Sequence, residues 1–371
     1  MANMNQSVIE RSQDPIAYAA NSKTTIRLGR GMLLREIRLR LTGSLTCTSA
    51  NNIAANTLRG DEWGLVRSID LIANGNDTVR SFTGNELFWI NKLLYGRNPS
   101  LSPNLGPASD PTGNANPTFD STLILPLWQP QANRPMDTVL NTAKLSDLRL
   151  EITWGSHVDI NASATAIAAA AAGATQSGQA EAAGLTVHTL ESYFNDGEVM
   201  RTYKPALSRM YGILSNSLSA VANGQRVDLP VQPLYRGFLI NAYNQASPAV
   251  DNPTLIRTVR LKSGPNIIRE IPWTVLVEQS RARFNIQSDT TAAAVTTGAF
   301  RFGRGEKRSS SAAPFAWAWW DMLTDGNMNE CVDSQGLSEL YIEFDTKNDG
   351  DVTTAGFARV LPMQITPASR Y

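Results

Sequence analysis

Two histidines, His157 and His188, are the only imidazoles in a chain of 371 residues. A metal-holding β-barrel needs about three histidines or carboxylates converging on one ion, and two barrels need twice that. Both histidines fall in the first half of the chain and outside its repeated segments, which argues against a pair of metal barrels. They are expected in loops or at strand ends. Two carboxylate groups, Asp110 with Asp120 and Asp345 with Asp349 and Asp351, have the residue types for glycoside hydrolysis or calcium binding. The second lacks the spacing and the bidentate glutamate of a calcium loop. Both sit among turn formers, so solvated turns are expected. No H-E-x-x-H, G-x-S-x-G or phosphate loop occurs, and Gly303-Arg-Gly-Glu-Lys-Arg308 has the wrong glycine spacing for the last. The run Phe315-Ala-Trp-Ala-Trp-Trp320 could stack sugars, but Phe315, Trp317 and Trp319 alternate with alanines as on the inner face of a strand. No catalytic, cofactor or metal residues are assigned, and the chain is not read as an enzyme. The basic cluster Arg301, Arg304, Lys307 and Arg308 stays open between a genome, membrane or subunit contact and solvated loop charge.

The elements that would position such residues are constrained by composition. Lys+Arg 33 balances Asp+Glu 33, so the whole chain carries no strong attraction for polyanions. Hydrophobic residues at 42% suffice for packed cores, and the length suits two domains. No stretch reaches the ~20 apolar residues of a membrane span, and the start lacks the order of a signal peptide. The chain is therefore expected to be soluble when made and not exported by the usual route. Cys47 and Cys331 lie far apart and read as small core or strand residues.

An internal repeat runs through the chain. Residues 123–152 can be laid on residues 315–344 without a gap, so that Trp128 meets Trp320, Met136 meets Met328 and Leu148 meets Leu340. Upstream, Ile26-Arg-Leu matches Val227-Asp-Leu, and Leu65-Val-Arg-Ser-Ile-Asp-Leu71 matches Leu255-Ile-Arg-Thr-Val-Arg-Leu261. Gly75 then meets Gly264 and Arg80 meets Arg269. Three blocks in the same order at nearly constant spacing indicate a diverged tandem duplication.

The matched blocks alternate with period two, as half-buried strands do. Ile37, Leu39 and Leu41 oppose Glu36, Arg38 and Arg40; Leu148, Leu150, Ile152 and Trp154 oppose Arg149, Glu151 and Thr153; Leu340, Ile342 and Phe344 oppose Tyr341, Glu343 and Asp345. One helix is expected at a matched place in each half, over residues 83–96 and from Pro272 onward. The reading is all-β: two tandem jelly-roll sandwiches, each with one short helix inserted. Residues 1–22 are expected to be a flexible polar arm, 23–215 the first jelly roll and 216–371 the second. Residues 100–120 and 161–184 are expected as loop insertions of the first.

Several stretches carry a resemblance: Arg67-Ser-Ile-Asp-Leu-Ile-Ala-Asn-Gly75, Leu125-Pro-Leu-Trp128, Leu148-Arg-Leu-Glu-Ile-Thr-Trp-Gly155 and Leu234-Tyr-Arg-Gly-Phe-Leu-Ile240. With the architecture, they make the chain resemble the double jelly-roll major capsid proteins of tailless icosahedral viruses, the tectivirus and adenovirus-hexon lineage, in its bacteriophage-type form. The resemblance covers nearly everything beyond the first twenty or so residues. It implies a homotrimer whose six jelly rolls form a pseudo-hexagonal capsomer, and self-assembly of these into a virion shell from subunits made in the host cytoplasm. The implied partners are further copies of the chain, minor capsid or vertex proteins, and an internal membrane or the genome at the inner face. The alternative is a carbohydrate-binding or host-attachment protein with two β-sandwiches.

Overall fold

The computed structural model describes residues 6–46, 62–95, 118–128, 138–155, 179–194, 197–203, 207–210, 214–219, 222–244, 255–283, 316–323, 330–346 and 356–366. The first half runs β1 (Gln6–Ser12), β2 (Ile16–Ala17), β3 (Lys23–Arg27), β4 (Leu33–Thr46), β5 (Val66–Ala73), β6 (Asp77–Phe82), α1 (Gly84–Tyr95), β7 (Thr118–Pro126), β8 (Leu140–Asn141), β9 (Leu148–Trp154) and β10 (Gln179–Phe194). A short helix α2 (Gly197–Thr202) and strands β11 (Leu207–Met210) and β12 (Leu214–Leu218) lead onward. The second half repeats the order: β13 (Gln225–Leu229), β14 (Leu234–Asn244), β15 (Ile256–Ser263), β16 (Asn266–Pro272), α3 (Trp273–Arg283), β17 (Trp317–Asp321), β18 (Val332–Asp333), β19 (Leu340–Thr346) and β20 (Gly356–Thr366). Elements β3 to β10 thus have counterparts β13 to β20, with a helix at the same place in each half.

The first half stacks the sheet β1-β10-β4-β7 on the strands β3-β9-β5-β6, and the second stacks β20-β14-β17 on β13-β19-β15-β16. Alternation carries the packing, as expected. Ile37, Leu39, Leu41, Leu150, Ile152 and Trp154 are fully buried in the first core, while Leu340, Ile342 and Phe344 fill the second. The hairpins β5–β6 and β15–β16 turn at Gly75 (φ +81) and Gly264 (φ +56), left-handed conformations that glycine takes without steric cost.

The register tests the repeat residue by residue. Ile26 faces Leu150 and Leu150 faces Leu71; their counterparts Val227, Ile342 and Leu261 face one another identically. Leu148 and Leu340 both open their strands. The match of Trp128 with Trp320 does not hold. Ile37 faces Leu125 while its counterpart Phe238 faces Trp320, so in this block the true register lies three residues away. Trp128 lies beyond the end of β7, with its amide on the carbonyl of Arg35. Matching the tryptophans by identity overrode the register that the sheet imposes.

Three paired devices confirm the corrected register. Arg35 and Arg236 are each the extra residue of a β-bulge in β4 and β14, and their carbonyls accept from the amides of Leu127 and Met322. Arg80 Nη2 donates to the Leu127 carbonyl at 3.3 Å and Arg269 Nη2 to that of Met322 at 3.0 Å. Asn91 of α1 donates to the carbonyl of Ile124 and accepts from its amide, as Ser280 of α3 does with Trp319. β7 and β17 are edge strands, so each helix lies along an edge and satisfies backbone groups that would otherwise be buried unpaired.

Other expectations are corrected. The polar start is not a free arm: β1 pairs along its whole length with β10, from Gln6 opposite Phe194 to Ser12 opposite His188, and β2 pairs with the same strand. The backbone ladder holds it, and Arg38–Glu10 at 2.9 Å and Arg11–Glu191 at 3.8 Å add charge pairs along it. The passage between halves comes before residue 215, because β11 and β12 both add to β20. Residues 118–120 and 179–184, assigned to the two insertions, are strand, while the rest of 100–120 and 161–184 lies outside the described residues.

Candidate interaction surfaces

Among the described residues no three His, Cys, Asp or Glu side chains gather as a metal site, and no helix is long and apolar enough to cross a membrane. His188 lies on β10 opposite Arg38 of β4. His157, Asp110, Asp349 and Asp351 lie outside the described residues, as do Arg301, Arg304, Lys307 and Arg308. Asp120 and Asp345 are not in solvated turns. Asp120 stands on β7 and takes a bidentate pair from Arg40 at 2.8 and 2.6 Å, which holds its carboxyl below the usual range. Asp345 is the last but one residue of β19 and meets Arg260 at 2.6 Å, beside Glu343 and Lys262. These charges are already matched in pairs on sheet faces, an arrangement suited to a wet surface.

The aromatic run divides between two cores. Ala318, Trp320 and Met322 face the second half's own interior, whereas Trp317 and Trp319 point the other way and are also buried. They pack with Leu239, Leu361 and Met363 against the first half, and Trp317 stacks on Trp89 of α1 at 5.7 Å and 15°. Placing Trp317 and Trp319 on the strand's inner face is therefore wrong, because both faces of β17 are covered and alternation cannot tell them apart.

This junction joins the two halves through buried side chains of both. Around α1, Glu86, Leu87, Phe88, Trp89 and Ile90 are all buried. β11 also bridges the halves: it pairs antiparallel with β20 and, at Met210 opposite Arg80, parallel with β6. A ten-stranded sheet therefore runs through both halves. Glu86 forms a capping box with Thr83, accepting from its amide at 2.8 Å while its own amide donates to the Thr83 hydroxyl at 3.2 Å.

Burial pushes the Glu86 carboxyl above its ordinary 4.5, against the pull of the Thr83 bonds and the Arg359 charge on β20. A carboxyl whose folded pKa is raised favours the native state most below 4.5 and loses that contribution as pH rises through the folded value. Glu86→Gln keeps the acceptor and removes the charge. The variant is expected to be more stable than the parent at pH 7, with the gap closing as pH falls toward 4.5. Urea midpoints that differ equally at both pH values would refute this.

Among the described residues, the counterpart surface on the second half is partly exposed: Leu276 and Val277, in place of Leu87 and Phe88, are buried in the second core, but their neighbours are not. Fixing the frame by Phe82 opposite Ile69 and Ile271 opposite Val259, buried Glu86 corresponds to Val275, 44% exposed. On β16, Ile267 and Ile268 are 52% and 40% exposed. With Val8 of β1 at 53%, these four are the exposed large hydrophobic residues among those described. Sequence reasoning missed this surface because exposure at a pseudo-equivalent position is invisible until the covered copy is seen.

No family model matches the chain, and no curated protein matches it in sequence. Solved structures do match in fold. The atomic structure of Sulfolobus Turreted Icosahedral Virus aligns with 16% identity and a TM-score of 0.65 over 97% of this chain and 91% of that one. The PBCV-1 virus capsid aligns with 10% identity and 0.58, over 98% and 94%. The major capsid protein P2 from bacteriophage PM2 aligns with 11% and 0.55, over 98% of both chains. Spanning nearly the full length of each, these likenesses establish that the chain has the double jelly-roll fold found in viral major capsid proteins.

Proposed function

We propose that this chain is the major structural subunit of an icosahedral virion, assembling as a homotrimer whose six jelly rolls form a pseudo-hexagonal capsomer. One observation carries the reading. The two halves are alike in order and register, yet the junction surface is filled on the first half and partly exposed on the second. A subunit with one satisfied and one unsatisfied copy of the same joint is suited to closed head-to-tail association, which ends when the rotation returns to its start. The fold likeness to capsid proteins along the whole chain supports the same conclusion.

In this reading the chain acts through contacts with copies of itself, not by catalysis. Its place is the virion, after synthesis in the host cytoplasm, and minor capsid or vertex proteins would complete the shell. The cluster Arg301, Arg304, Lys307 and Arg308 remains a proposed contact for genome, membrane or a neighbouring subunit. Light scattering of the purified chain is expected to give three times its 40.4 kDa, and electron microscopy of assembled material is expected to show closed shells with hexagonal capsomers. A stable monomer at micromolar concentration that forms no particles and binds glycans would replace this reading with host attachment.

A further inference from the structure

We propose that the N-terminal strand β1 of one copy adds in parallel to the open edge of β16 in a second copy, as β11 adds to β6 within one chain. The inference rests on the trimer reading and assigns the strand that completes its joint.

The two edge strands are equivalents. β11 covers the end of β20 with Met210 opposite Met363, which in turn faces Gly237. β1 covers the end of β10 with Glu10 opposite Leu190, which in turn faces Glu36. Gly237 and Glu36 each follow the bulged arginine of their strand, so Glu10 is the counterpart of Met210. Met210 bridges to Arg80 in parallel, and the counterpart of Arg80 is Arg269. The repeat therefore sets Glu10 of one copy beside Arg269 of the next, two opposite charges where the internal joint has a methionine and an arginine.

Apolar surface supports the same pairing. Just before these positions, Val8 of β1 and Ile267 of β16 stand close in the joint, β16 carrying an extra residue at Ile268, and both are more than half exposed in the single chain. Ile268 of β16 and Val275 of α3, the element that follows it in the chain, are exposed as well. Exposed hydrophobic residues on a bare strand edge are a template for another strand, which proteins ordinarily avoid unless the edge is used. β16 ends its sheet and β1 ends its own, so joining them continues a sheet from copy to copy. Three such joints, alternating with the three internal ones, close the ring and leave no bare edge of this kind.

The test uses the full chain with Cys47→Ser and Cys331→Ser, carrying Glu10→Cys and Arg269→Cys, the two positions that the register sets opposite one another. Facing residues of neighbouring strands lie within disulfide reach. Mild oxidation is expected to give species of two and three chain masses on a non-reducing gel, reversed by reductant and absent from either single-cysteine variant. A chain that has trimeric mass in solution but forms no interchain bond would overturn the strand assignment and leave the trimer reading standing. A chain that is monomeric by light scattering would overturn both. Independently, Ile267→Lys, at a surface position, is expected to raise the concentration at which trimers dissociate by tenfold or more, and an unchanged dissociation curve would count against the joint.

Discussion

Replacing Trp89 with alanine is expected to lower the unfolding free energy by about 3–5 kcal/mol, the usual cost of removing a large buried aromatic. The indole is 3% exposed, meets Phe88 edge-on at 5.6 Å and stacks on Trp317 from the other half. Truncation leaves a void at the centre of the junction, and rigid sheets on both sides limit how far it can close. Because the lost contacts join two halves that each keep their own core, the expected calorimetric trace broadens or splits as the halves lose cooperativity. A double-mutant cycle with Trp317→Ala should give a coupling of about 0.5–1.5 kcal/mol, the range for stacked aromatic pairs. Additive effects of the two substitutions, or a loss under ~1 kcal/mol for Trp89→Ala, would mean that the junction is not held at this stack.

Deleting residues 1–17 is expected to lower the urea midpoint of the subunit itself, before any assembly is considered. The deletion removes β1 and β2, and with them Ile16, which is 6% exposed and worth about 1.5–3 kcal/mol on burial. It also removes the backbone bonds along β10, at roughly 0.5–1.5 kcal/mol each where they stay unreplaced by water. Glu191, 3% exposed, loses Arg11 and keeps only the Thr189 hydroxyl. Together these exceed about 3 kcal/mol. A truncated chain with an unchanged midpoint would show that β10 does not need its outer neighbour.

The sequence showed those parts of the fold in which one strand face is wet. β4, β9 and β19 alternate cleanly because their outer residues reach solvent or ion pairs, so period and packing agree. The repeat was legible for the same reason, since β3, β5 and β9 keep their pattern in β13, β15 and β19. β17 was legible as a buried strand but not by face, because Trp317 and Trp320 point into different cores and both are apolar. β1 was missed because its hold on the sheet is backbone pairing with β10, far along the chain, where Glu10 and Arg11 also meet Arg38 and Glu191. Asp120 and Asp345 were taken for turns on local composition, while Arg40 and Arg260 came from other strands. The junction could have been suspected from one signal: α1 carries large apolar residues nearly all round, whereas α3 places Glu278 where α1 has Trp89.

The pairing of β4 with β10 also sets a clock during synthesis. Leu33 finds Ser192 and Thr46 finds Gln179, so an early strand must wait for well over a hundred residues before its central neighbour exists. At ~5–20 residues per second, that interval is roughly ten to thirty seconds on the ribosome. Throughout it, β4 lacks this lateral neighbour, and the apolar face of Ile37, Leu39 and Leu41 can pack only on first-core elements as they emerge, such as β5, α1 and β9. The second half repeats the delay, because β14 waits for β20, with Leu234 opposite Ile365 and Asn244 opposite Gly356. If the chain is made in many copies at once, as the proposed shell subunit would be, many such half-finished sheets would be present together in one cell. The bulges at Arg35 and Arg236 interrupt flat pairing in these two strands, a feature that disfavours pairing between the unfinished edges of separate chains.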